Sequence, residues 1–122
     1  MPRLVLINGA PGSGKSTLAR ALAQDGRFTL ALDLDGIKHS LGRWREDPIG
    51  AGLHARRLGV ALAAEHLGTG HDVVLGQYLA RSEFIETLES HAGRCRARFV
   101  EVVLDVDVAT LADRLVGRTS RP

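Results

Sequence analysis

A chain of 122 residues, 44% hydrophobic and 25% charged, can bury one real hydrophobic core and is too short for two. Its 16 basic and 14 acidic residues are spread along the chain and leave a net charge of +2, which permits nucleic acid as a partner without favouring it. A single cysteine, Cys95, excludes an internal disulfide; the first apolar run, Leu4 to Ile7, is too short for a secretory leader, and nowhere do the roughly 18 apolar residues of a membrane span run together, so the expectation is a cytoplasmic protein with no membrane partner.

Leu4 to Ile7 is a continuous apolar stretch ending at Asn8-Gly9, the pattern of a strand buried on both faces. A glycine-rich segment follows, Gly9-Ala10-Pro11-Gly12-Ser13-Gly14-Lys15-Ser16. After it, Ser16 to Gln24 carries Leu18, Ala19, Leu22 and Ala23 at helical spacing and stops at Asp25-Gly26. Phe28 to Leu32 is the second predicted strand. Asp35 is an acceptable N-cap for a short helix, which Gly42 and Asp47-Pro48 would interrupt.

The stretch from Ile49 to Leu67, rich in Ala and Leu and closed by Gly68-Thr69-Gly70, predicts a long helix with a glycine stop. Asp72 to Leu75 is the third strand. Beyond the loop from Gly76 to Arg81, Ser82 is placed to cap a helix carrying Phe84, Ile85 and Leu88. Phe99 to Leu104 is the fourth strand, and Asp105 to Val116 a final helix. Strands alternating with helices imply an α/β fold, a parallel sheet with helices on both faces, over one domain spanning 1–122. The chain ends just after that helix, so the expectation is a sheet lacking its last strand in this chain, either because the protein is unusually short or because a C-terminal part is missing.

The glycine-rich segment carries the chemistry. A triphosphate needs several donors aimed at its oxygens, and Gly9, Gly12 and Gly14 let successive backbone N–H groups approach it without interference from a Cβ. Lys15 is then placed to reach the β and γ phosphates and Ser16 to ligate Mg2+, with Thr17 beside it at the positive end of the new helix. The match follows a predicted strand and opens a predicted helix, the context that defines a P-loop NTPase. ATP and Mg2+ are the expected cofactors.

Ligands of such sheets bind at the carboxyl ends of the strands, where Asp33-Leu34-Asp35-Gly36-Ile37-Lys38 follows strand two. A carboxylate there can accept the proton of an attacking hydroxyl. Asp35 is the first choice for the base, with Asp33 either assisting Mg2+ or capping structure, and Lys38 one helical turn beyond Asp35. If the strand continued, Asp33 and Asp35 would share a side.

The P-loop at 9–16, followed about twenty residues later by Asp-x-Asp-x-x-Lys at 33–38, resembles the small P-loop kinases. These include the zeta toxins, chloramphenicol phosphotransferase, gluconate kinase and the polynucleotide 5'-kinases, together with bacterial AAA family ATPases of this size. The resemblance implies a nucleotide-kinase-like fold, ATP and Mg2+, transfer of the γ-phosphoryl group to a hydroxyl, and an aspartate base that falls on Asp35. It also implies a lid of arginines, a place occupied by Arg114, Arg118 and Arg121.

The acceptor side is less determined. Arg43 and Arg45 flank Trp44, the only tryptophan, which could stack on a ring or, slightly preferred, anchor its loop to the core. Gln77, Tyr78 and Arg81 could contribute acceptor contacts from the loop after strand three, and a polar loop residue is an equal reading of Gln77. Arg56 and Arg57 read as a solvated helix face. His39, His54, His66, His71 and His91 show no metal-ligand spacing. Besides phosphoryl transfer to a small or nucleotide-like alcohol, two other readings stand: an ATP-dependent switch without an acceptor, and a polynucleotide 5'-kinase binding single strands through a basic aromatic groove.

Overall fold

A computed structural model describes residues 1–9, 14–77 and 82–104. Strand β1 (Arg3–Gly9) leads into helix α1 (Lys15–Asp25), then β2 (Leu30–Leu32), α2 (Leu34–Ser40), a single 3-10 turn at Trp44–Glu46, α3 (Pro48–Gly68), β3 (Val73–Gln77), α4 (Ser82–Arg94) and β4 (Arg98–Leu104). The strands form a four-stranded sheet in the order β2-β3-β1-β4, and every pairing is parallel.

Alternation along β1 divides the core. Leu4 and Leu6, with Val73 and Leu75 of β3, point to one face, where Leu34 of α2, Ala63 and Leu67 of α3, and Leu88 and Ala92 of α4 cover them. Val5 and Ile7, with Val74, point to the other, against Ala19 of α1. Helices therefore cover both faces, as the α/β reading required. Leu4, Leu6, Ile7, Val73 and Leu75 are fully buried, and each stabilises the sheet by about 1.5–3 kcal/mol relative to exposure.

Helix α3 buries Ala51, Ala55, Gly59, Ala63 and Leu67, one residue in every four. Small side chains let it lie close to its neighbours: a Cβ at Gly59 would collide with the side chain of Leu34. Asp47 caps its start, accepting a hydrogen bond from the Gly50 N–H at 3.0 Å, with Pro48 in the first turn. It ends at Gly68, and two residues on the chain turns away at Gly70, whose φ of 89° lies in the left-handed region and whose N–H bonds to the Leu67 carbonyl at 2.9 Å.

Two boundaries differ from the sequence reading. Strand β2 begins at Leu30 rather than Phe28, because Phe28 has a φ of 59° and is 65% exposed, a conformation that no strand continues through. Helix α2 begins earlier than expected, with Asp33 and not Asp35 as its N-cap: Asp33 Oδ1 accepts the Gly36 N–H at 3.1 Å. The expected final helix from Asp105 to Val116 lies outside the described residues.

Candidate functional site

The first turn of α1 begins at Gly14, whose φ of 88° is reached without a Cβ penalty, and the Gly14 carbonyl accepts the first helical bond from the Leu18 N–H at 3.0 Å. Lys15, Ser16 and Thr17 form that first turn, where the positive end of the helix dipole favours an anion. Gly9 is the last residue of β1, and Ala10, Pro11, Gly12 and Ser13 lie outside the described residues.

The carboxyl end of β3 closes on this turn. A Cβ on Gly76 would stand 3.0 Å from the Lys15 carbonyl oxygen, so any side chain there would have to push β3 and the start of α1 slightly apart. Register carries the alignment across the sheet, Ile7 opposite Gly76 and Asn8 opposite Gln77.

Two clefts open from here. The first, about 360 Å³, is lined by Ser16, Ala19, Arg20, Ala31, Leu32, Asp33 and Gly76. It brings together the two residues expected at the metal, Ser16 from α1 and Asp33 from the end of β2. A hydroxyl and a carboxylate are hard oxygen donors, the set that Mg2+ takes while keeping several waters, and Asp33 spends only Oδ1 on its cap bond. The residues fit the ion.

The second, about 130 Å³, is lined by Leu34, Asp35, Lys38, Gly52, Ala55, Arg56 and Gln77. Asp33 and Asp35 therefore do not share a side: the strand ends at Leu32, and two residues of helix turn Asp35 away from Asp33. Asp35 instead shares its cleft with Lys38, one turn along α2, and with Gln77 at the end of β3. Next to it lies a cleft of about 300 Å³ that shares Lys38, Gly52 and Arg56 and is bordered by Pro48, Ile49 and Leu53; Ile49 and Leu53 are 81% and 61% exposed.

Arg56 is exposed, as expected of a solvated helix face, and also lines both of these clefts, with its guanidinium 5.3 Å from the ring centroid of Phe84. A run of Ala and Leu on every side of α3 conceals which face looks into the site. Arg20, to which the sequence assigns no role, lies four residues beyond Ser16 on α1, a spacing that places both on one face and in one cleft.

Trp44 is not among the core clusters. Its ring lies 4.5 Å from that of His39, with the Lys38 ammonium 5.6 Å and the Arg45 guanidinium 5.1 Å from its centroid. It holds cations beside the cleft rather than pinning its loop to the core. Arg43 pairs with Glu46, 2.9 Å between Nη2 and Oε1, away from the clefts. Tyr78, Arg81, Arg114, Arg118 and Arg121 lie outside the described residues. Among the described residues, no three His, Cys, Asp or Glu side chains gather as a metal site, and no helix is long and apolar enough to cross a membrane. His66 Nε2 bonds to the Phe28 carbonyl at 2.6 Å, and His91 Nδ1 to that of Thr87 at 2.8 Å, both tying down local backbone.

Comparison with known proteins agrees with the fold. The family model described as an AAA domain matches residues 4–122. An uncharacterized protein of Mycobacterium tuberculosis (strain H37Rv) is 30% identical over 128 residues, covering 95% of this chain; the chain spans 26% of that relative's length. Among solved structures, a candidate kinase from Chloroflexus aurantiacus superposes with a TM-score of 0.75 at 22% identity, covering 98% of this chain and 68% of its own. An APS kinase of Mycobacterium tuberculosis does so with a TM-score of 0.63 at 17% identity, covering 98% of each chain. At such identities the likeness speaks to the fold. The chain belongs to the AAA domain family, with the α/β fold of the small P-loop kinases.

Proposed function

We propose that this domain transfers the γ-phosphoryl group of ATP to a hydroxyl of a small or nucleotide-like acceptor. One observation carries the reading: at the carboxyl ends of the strands, the cleft holding Ser16 and Asp33 lies beside a second that holds Asp35, Lys38 and Gln77. A switch that merely bound ATP would have no use for the second.

Lys15 and the N–H groups of the first turn of α1 bind the β and γ phosphates, while Ser16 and Asp33 would hold Mg2+, which would supply neutralisation of phosphate charge. Asp35 orients the acceptor hydroxyl in line and takes its proton as the new O–P bond forms and the bond from Pγ to the bridging oxygen of ADP breaks. Lys38 lies on the same side of α2, where charge builds up during transfer. The lid role implied for Arg114, Arg118 and Arg121 belongs to the same proposal.

The test is transfer from γ-labelled ATP to a library of hydroxyl compounds. Asp35→Asn is expected to reduce transfer about 10²–10⁴-fold while leaving ATP affinity near that of the unaltered protein. ATP consumption that no acceptor changes would instead identify a switch.

A further inference from the structure

Resting on that reading, we infer that the acceptor carries an oxyanion, a carboxylate or phosphate monoester, beside its hydroxyl, and that Lys38 and Arg56 read it across a gap kept open by Gly52.

The charge balance of the cleft comes first. Lys38 and Arg56 line the same space as Asp35 and Gln77, two cations against one carboxylate. Among the described residues, ion pairs join Arg3 to Asp72 and Arg43 to Glu46, and neither Lys38 nor Arg56 takes part in one. Their heads are nonetheless held: the Lys38 ammonium lies 5.6 Å from the Trp44 centroid and the Arg56 guanidinium 5.3 Å from that of Phe84. Cations placed on aromatic faces are partly organised before a ligand arrives. A neutral polyol would leave the cleft with its excess of positive charge, whereas an oxyanion balances it and gives Arg56 a planar partner for paired hydrogen bonds.

Gly52 supplies the second argument. Glycine inside a helix weakens it, so a packing reason is expected. At Gly59 a Cβ would strike Leu34, and at Gly50 it would strike the capping carboxylate of Asp47. At Gly52, which lines both clefts beside α2, a Cβ meets nothing within 4 Å. The missing side chain relieves no crowding. What it leaves is open room where the cleft of Asp35 and the larger, apolar-mouthed cleft share Lys38, Gly52 and Arg56 as walls.

Polyols of three, four and five carbons, each compared with its own aldonate and its own terminal phosphate, separate the possibilities, with a 5'-hydroxyl oligonucleotide as a further arm. The expectation is that kcat/KM for the aldonate or the phosphate exceeds that of the neutral polyol by about tenfold or more, and the favoured arm identifies the oxyanion. Arg56→Met should raise KM for the charged acceptor by about tenfold with a much smaller change in kcat, and Arg56→Lys should restore part of the loss. Gly52→Leu should raise the same KM without lowering the melting temperature. Equal use of neutral and charged acceptors, an Arg56→Met effect that falls alike on both, or preference for the oligonucleotide overturns this inference and leaves phosphoryl transfer standing. Transfer to none of them overturns this inference, and ATP consumption that the wider hydroxyl library also leaves unchanged overturns both.

Discussion

Gly76 and Lys15 meet backbone to backbone: a Cβ on Gly76 would stand 3.0 Å from the Lys15 carbonyl oxygen and 3.2 Å from its carbonyl carbon. No side chain can swing away to relieve that contact. Gly76→Ala is expected to displace the start of α1, lowering stability by about 1–3 kcal/mol and weakening ATP binding. Thermal melting together with a nucleotide titration checks it; a variant with unchanged ATP affinity would show that the contact does not govern the phosphate site.

Asp33 has two assignments that substitution can separate. Asn caps helices as well as Asp does, so Asp33→Asn should keep the melting temperature while raising the Mg2+ concentration needed for ATP binding. Asp33→Ala should lose both, with a stability cost of about 1 kcal/mol from the lost cap. A Mg2+ titration identical in all three proteins would confine Asp33 to capping.

Lys15 offers a test of nucleotide binding independent of turnover. ATP at a hundred times its dissociation constant should stabilise the native protein by about 2.7 kcal/mol, visible as a raised melting temperature. Lys15→Ala should abolish that rise with little effect on the melting temperature without ATP. A persisting shift would show that the rest of the loop suffices.

Gly59 tests the close approach of α3 to α2. Gly59→Val places branched carbon where the Leu34 side chain already packs, and the expected loss is about 1–3 kcal/mol, measured by urea denaturation. Because Asp35 follows Leu34 on α2, acceptor phosphorylation should fall as well.

Much of this was legible in advance. The apolar run of β1, the glycines after it and the helix they open are local signals, each settled within a few residues. Asp35 and Lys38 share a cleft because one helical turn separates them, which spacing alone conveys. Parts that depend on the path of the chain in space were harder to read. Whether Asp33 or Asp35 caps α2 turns on where β2 stops, and the left-handed Phe28 shortens that strand at its beginning without any glycine to announce it. Gly76 gave no sign that the start of α1, far back in the chain, would lie against it. Arg56 stood among alanines and leucines on a helix whose buried stripe is made of small residues, leaving Ile49 and Leu53 outside, so hydrophobicity pointed to no single face.

The alternation of β1 has a consequence for engineering. The apolar cluster under α3 and α4 and the one under α1 have no side chain in common, and the sheet backbone stands between them. Free-energy changes from repacking the two sides should therefore sum, so that a double variant at Ala19 and Ala63 behaves as the total of its singles. The sheet is a thermodynamic partition, and variation on the α2–α3 side can proceed without being felt in the packing beneath α1.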